Sequence, residues 1–178
     1  MVNGIFLSQP IYASDLLARF HMSDCKTSPS PFQFGVMLIV DCNTPLVDAT
    51  LYRQLVGSMI YLTHNRPDIS SVVSMVSTFM QKPHEIHWFV EKIILCYIKV
   101  TMHYGVLYSS KAPVSLLGYK DSDWEGDSYD RRSTVGYIFE LGSGLISWSN
   151  KKLRALSLSS CEAEYRATKE ASKEVVWI

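Results

Sequence analysis

Four carboxylates in the last third of the chain have the types and spacing to host a cation: Asp121 with Asp123, and Glu162 with Glu164. Asp121 closes an alternating apolar run over 114–121, which places it at the end of a strand. Period two puts Leu117, Tyr119, Asp121 and Asp123 on one strand face where the strand persists that far. Glu162 and Glu164 open an Ala/Glu-rich helical segment. Residues two apart on a helix point to different faces, so only one of them can address the strand. Glu162 suits the helix start, where a carboxylate complements exposed N–H groups, and Ser159 or Ser160 supplies the N-cap. A strand carboxylate and a helix carboxylate brought together suggest a site for a hard, oxygen-loving cation. Asp123 is either an auxiliary ligand or a solvated aspartate at the strand end.

The elements that must position these groups follow from pattern. Strands are expected over 114–121, 134–141 and 144–148, with Gly142-Ser143-Gly144 as the turn between the last two, and a helix over 160–177. The result is an antiparallel meander followed by a helix. Arg131 and Arg132 at the first hairpin, and Lys151, Lys152 and Arg154 near the second, form local basic patches that either contact phosphate or are simply solvated. Trp124 and Trp148 read as core or anchoring aromatics.

The blocks GYKDSDWEGD, RRSTVGYIFELGSGLISW and ALSLSSCEAEYRA resemble the ribonuclease H domain of copia-type retrotransposon Pol polyproteins. Upstream, GIFLSQPIYASDLLARFHMSDCK and YRQLVGSMIYLTHNRPDIS resemble the end of the reverse transcriptase of those polyproteins and its connection to ribonuclease H. The resemblance covers nearly the whole chain. It implies an α+β architecture: a helical connection bundle followed by a truncated ribonuclease H-like meander and helix. The implied divisions are 1–24 for the end of the reverse transcriptase region, 25–45 for a linker, 46–103 for the helical connection and 104–178 for the ribonuclease H-like part.

By that resemblance Asp121 and Glu164 correspond to the first two catalytic carboxylates and are ligands of a partial magnesium site, with an RNA–DNA hybrid as partner. Such hydrolysis uses two divalent ions about 3.5–4 Å apart. The family's later carboxylates are not in this chain, and neither is the Tyr-x-Asp-Asp motif of the polymerase. The implied function is therefore a retrotransposon-derived fragment, by descent a reverse transcriptase and hybrid ribonuclease, inactive by itself and completed only by the remainder of a polyprotein. The alternative is a non-catalytic remnant or interaction module.

The rest of the chain supplies a scaffold. Gly4–Ser8 reads as a strand and 10–20 as a helix with Pro10 in its first turn and a stripe of Ile11, Leu16, Leu17 and Phe20. Prolines at 29, 31 and 45 mark 25–45 as a linker. Tyr52, Leu55, Val56, Met59 and Ile60 form one apolar stripe and Val72, Met75, Val76, Phe79 and Met80 another. A third helix is expected over 84–100. Its run EKIILCYIKV is apolar nearly all round, which means either deep burial or an exposed sticky patch. His84 and His87, three apart, lack a third ligand and read as exposed first-turn residues rather than a metal pair.

A net charge of +0, with 17 basic and 17 acidic residues, excludes a strongly basic nucleic-acid surface, so hybrid contact would fall to local patches. Cys25, Cys42, Cys96 and Cys161 show no zinc or C-x-x-C spacing and read as free thiols that behave as small buried hydrophobes. No apolar run approaches the ~20 residues that span a bilayer, and the N-terminus lacks a signal pattern, so an intracellular protein without membrane contact is the default.

Overall fold

The structure, a computed structural model, describes residues 3–32, 38–39, 43–123, 133–153, 157 and 159–178, and of Asp123 the backbone alone. It is mixed α+β and divides into two compact units, Leu7–Val106 and Met1–Phe6 with Leu107–Ile178. Two short strands, β1 (Gly4–Ser8) and β2 (Gly105–Ser109), pair with each other. Among the described residues no helix is long and apolar enough to cross a membrane.

The unit Leu7–Val106 is helical. Helix α1 (Pro10–Arg19) starts on its proline, where a missing N–H removes no helical bond. It ends at His21 in the left-handed region (φ 56°), with Met22 N–H bonded to the Leu17 carbonyl at 2.8 Å. Helix α2 (Ala49–Leu62) is capped by the Asp48 carboxylate, which accepts from the backbone N–H groups of Thr50 and Leu51. Tyr52, Leu55, Val56 and Met59 are buried as expected, but Ile60 is 41% exposed and Leu62 takes its place in the core. The two positions flank the stripe on opposite sides. Periodicity does not say on which side a neighbour packs. Ile11 is likewise exposed, and Ala13 is buried in α1 beside Leu16 and Leu17.

A 3₁₀ turn (Pro67–Ile69) leads into α3 (Ser70–Ser77). Arg66, just before it, is buried at 2% exposure, and each of its three guanidinium nitrogens donates a hydrogen bond. Its guanidinium forks onto Asp68 at 2.8 and 2.9 Å and bonds the Thr101 carbonyl and hydroxyl at 2.9 and 2.6 Å. It also stands over the rings of Tyr97 and Tyr104.

Helix α4 (Glu85–Val100) resolves the choice its apolar run posed, because Val90, Ile93, Ile94, Leu95 and Ile98 are all buried. His84 and His87 are buried too, against the expectation of exposure. They close the helix start: His84 N–H donates to His87 Nδ1 at 3.0 Å, so His87 must carry its proton on Nε2, which donates to the Ile39 carbonyl at 3.0 Å. Burial lowers the His87 pKa, which keeps the ring neutral. One turn further, Glu91 is fully buried, and among the described residues neither carboxyl oxygen has a hydrogen-bond partner. Burial pushes its pKa up to about 9, so at neutral pH it is a protonated acid in an apolar core.

In the other unit β3 (Leu116–Asp123), β4 (Thr134–Leu141) and β5 (Gly144–Lys152) form an antiparallel sheet in that order, and α5 (Ser160–Trp177) packs on β3 and β4. The expected meander and helix are present, with shifted ends. Strand β3 starts two residues late, leaving Val114 outside and 88% exposed, and continues through Asp123 because that residue still pairs with Thr134. Strand β5 runs on to Lys152, paired with Thr134, so Lys151 and Lys152 lie in a strand and not at a hairpin. The β4–β5 turn needs its glycine, since Gly142 has φ +64°. Gly118 is required for another reason: a Cβ there would meet the Phe139 ring at 2.5 Å.

Of the cysteines, Cys25 and Cys96 are half-buried and Cys161 is exposed, all as free thiols, so none of the three is the buried hydrophobe expected. Cys42 lies outside the described residues.

Candidate functional site

Glu164 sits one turn into α5, on the side that faces the sheet. The helix begins there because Ser159, in extended backbone, accepts a bond from Glu162 N–H at 3.1 Å, and because Ala163, Ala167 and Ala171 let it lie close on β3 and β4. The carboxylate of Glu164 has two side-chain partners on β3. Ser122 Oγ donates to Oε1 at 2.7 Å, and the Lys120 ammonium pairs with Oε2. The ammonium and the hydroxyl together hold the Glu164 carboxyl below the ordinary carboxylate range.

Asp121 stands between those two residues. With Lys120 and Ser122 both reaching α5, and an unbroken register through Asp121 paired with Gly136, alternation sends the Asp121 side chain to the other face of the sheet. There it is exposed, and its Oδ1 accepts the N–H of Ser122 at 2.9 Å. The expected meeting of Asp121 with Glu164 is replaced by that of Lys120 and Ser122 with Glu164. Glu162 lies in the first turn of α5, and its carboxylate pairs with Arg166 at 2.6 Å instead of turning to the strand. The side chain of Asp123, and all of Trp124, Arg131, Arg132 and Arg154, lie outside the described residues. Lys151 is exposed and Lys152 half-exposed on β5. Trp148 lies opposite Ile138 on the face away from α5.

A magnesium ion needs several oxygen ligands in fixed geometry. Among the described residues there is no group of three or more His, Cys, Asp or Glu that could hold a metal ion. The carboxylate best placed on the helix already has a cation, the Lys120 ammonium. The described side chains therefore do not fit the ion that the resemblance implies.

Two features were not read from the sequence. The first is the pair Lys120 and Ser122. Its signal lay in Gly118, whose missing side chain marks where Phe139 crosses, and hence marks 118, 120 and 122 as the covered face. The second is Glu174, which holds the far end of α5 by accepting from Ser147 Oγ at 2.6 Å and from the Tyr137 hydroxyl at 3.2 Å. No local motif announces that contact.

Comparison with known proteins gives several relatives over most of the chain. The retrovirus-related Pol polyprotein from transposon RE2 of Arabidopsis thaliana is 42% identical over 175 residues, 98% of this chain and 12% of that protein. The one from transposon RE1 of the same plant is 43% identical over the same length and share. Secreted RxLR effector protein 161 of Plasmopara viticola is 42% identical over 128 residues, 71% of this chain and 90% of that protein. The chain thus spans 12% of the length of the two Pol polyproteins. No family model and no solved structure matches it.

Proposed function

Because the chain belongs to the family of copia-type retrotransposon Pol polyproteins, we propose that it is their segment joining reverse transcriptase to ribonuclease H, with the first sheet and helix of the nuclease, and that alone it does not cleave. An RNA–DNA hybrid is the substrate by descent. What supports the assignment is the order of elements along an end-to-end match: helical connection, three-strand meander, then a helix with Glu164 in its first turns. What supports the lack of activity is one observation, the occupation of Glu164 by Lys120 and Ser122 while Asp121 faces away. Two carboxylates on opposite faces cannot act on one phosphodiester, and a lysine ammonium competes for Glu164, the carboxylate that α5 presents to β3.

The purified chain should be incubated with a labelled RNA–DNA hybrid and magnesium beside an Asp121→Asn control, and no cleavage above background should appear in either. Magnesium-dependent cleavage abolished by the substitution would overturn this reading.

A second reading, an interaction module without nuclease role, is favoured by the sheet face away from α5, where Leu117 (47%), Tyr119 (59%) and Ile138 (39%) stand exposed together. On this reading Asp121→Asn changes nothing, while Tyr119→Lys removes binding to other segments of the polyprotein.

A further inference from the structure

Residues 25–28 run alongside the last turns of α4. The Cys25 carbonyl accepts from Lys99 Nζ at 2.8 Å, and Ser28 N–H donates to the Cys96 carbonyl at 3.3 Å. These two bonds lay residues 25–28 along residues 96–99 of α4, where the Cys25 thiol lies near enough to act on the Cys96 thiol. Both cysteines are half-buried and free, so a small reagent can reach them. The segment they would join to α4 has no helix or strand over 25–32.

We propose that Cys25 and Cys96 are a dithiol pair that a small disulfide such as oxidised glutathione converts to an intramolecular disulfide, tying the 25–32 segment to α4. The thiolate of Cys25 attacks one sulfur of oxidised glutathione, forming a mixed disulfide and releasing one glutathione thiolate, which takes up a proton. Cys96 then gives its proton to solvent, attacks the Cys25 sulfur and expels the second glutathione thiolate. Two protein thiols are oxidised and one disulfide is reduced to two thiols, so the step balances. Burial and the neighbouring thiol push the Cys96 pKa up to about 11, which makes it the resolving and not the attacking sulfur.

The test uses the full chain with Cys42→Ser and Cys161→Ser, equilibrated in a glutathione redox buffer, quenched in acid, alkylated and weighed. The expected product has lost two hydrogens, carries no glutathione, and yields a proteolytic fragment in which Cys25 is joined to Cys96. Its equilibrium yield relative to the dithiol should be at least about tenfold higher in the folded chain than in urea, since the native contact prepays loop closure. The oxidised chain should also unfold at higher urea. Should the double variant fail to fold, fragment mapping of the unsubstituted chain reads the same bond. Thiols that stay free, that are capped separately by glutathione, or that pair equally well in urea would overturn the proposal.

Discussion

An ammonium one residue before Asp121 does at Glu164 what an external cation would otherwise do, and it does so without leaving. Lys120→Ala should therefore raise the Glu164 pKa towards the ordinary carboxylate value, read by carbon NMR of its carboxyl group, because the main donor holding it down is removed. An unchanged titration would show that the pair is not formed in solution. The urea midpoint should not move, as the pair is exposed to water. His21 offers a residue-scale change of the opposite kind. It is a non-glycine at a left-handed helix end (φ 56°), so His21→Gly should add roughly 0.5–1 kcal/mol of stability in urea unfolding. A loss of stability would mean that the imidazole makes a contact worth more than the backbone strain.

At the scale of elements, the sequence carried the helices and strands well and their neighbours poorly. The stripe of Tyr52, Leu55, Val56 and Met59 and the Gly142 turn were legible because each is a local matter of period or φ. Ile60 and Leu62 were not separable, because which flank of a stripe is covered depends on a partner elsewhere in the chain. The site failed for a related reason. The identities of Asp121 and Glu164 are visible in motifs, but which strand face α5 covers is set by where Phe139, Ala163 and Ala167 pack, and a one-residue change of parity exchanges Asp121 for Lys120. His84 and His87 looked like solvent-facing first-turn residues, and their burial follows from the carbonyls of Thr44 and Ile39, far away in sequence. Arg66 shows the energetic weight of such remote partners. It joins the turn before α3 to the end of α4 through Asp68 and Thr101, so Arg66→Ala should cost about 3 kcal/mol in urea unfolding, leaving buried acceptors without a donor. Arg66→Lys should recover little of that, since an ammonium cannot fork.

For the whole molecule, the buried Glu91 ties folding to pH. Its folded pKa, about 9, lies above the unfolded value near 4.5, so the folded chain holds a proton that the unfolded chain releases. The contribution is fully present below the unfolded pKa and is lost as pH rises through the folded one. Across that window the stability of the helical unit should fall by something on the order of 5 kcal/mol. Glu91→Leu, of similar volume, should flatten the dependence and raise the urea midpoint most at the alkaline end. A profile that is already flat in the unsubstituted chain would mean that the carboxyl finds water. The β1–β2 pairing has a different bearing. It brings Leu7 next to Gly105, so the helical unit starts and finishes at one spot, and in outline it is a ring with a single small gap. Such a ring has no privileged beginning: bridging the gap with a few residues and reopening the chain near Ser30 should give a permuted protein with the same helices. It also means that about a hundred residues can enter or leave a longer polypeptide as one parcel, while the flanking chain crosses only the width of a strand pair.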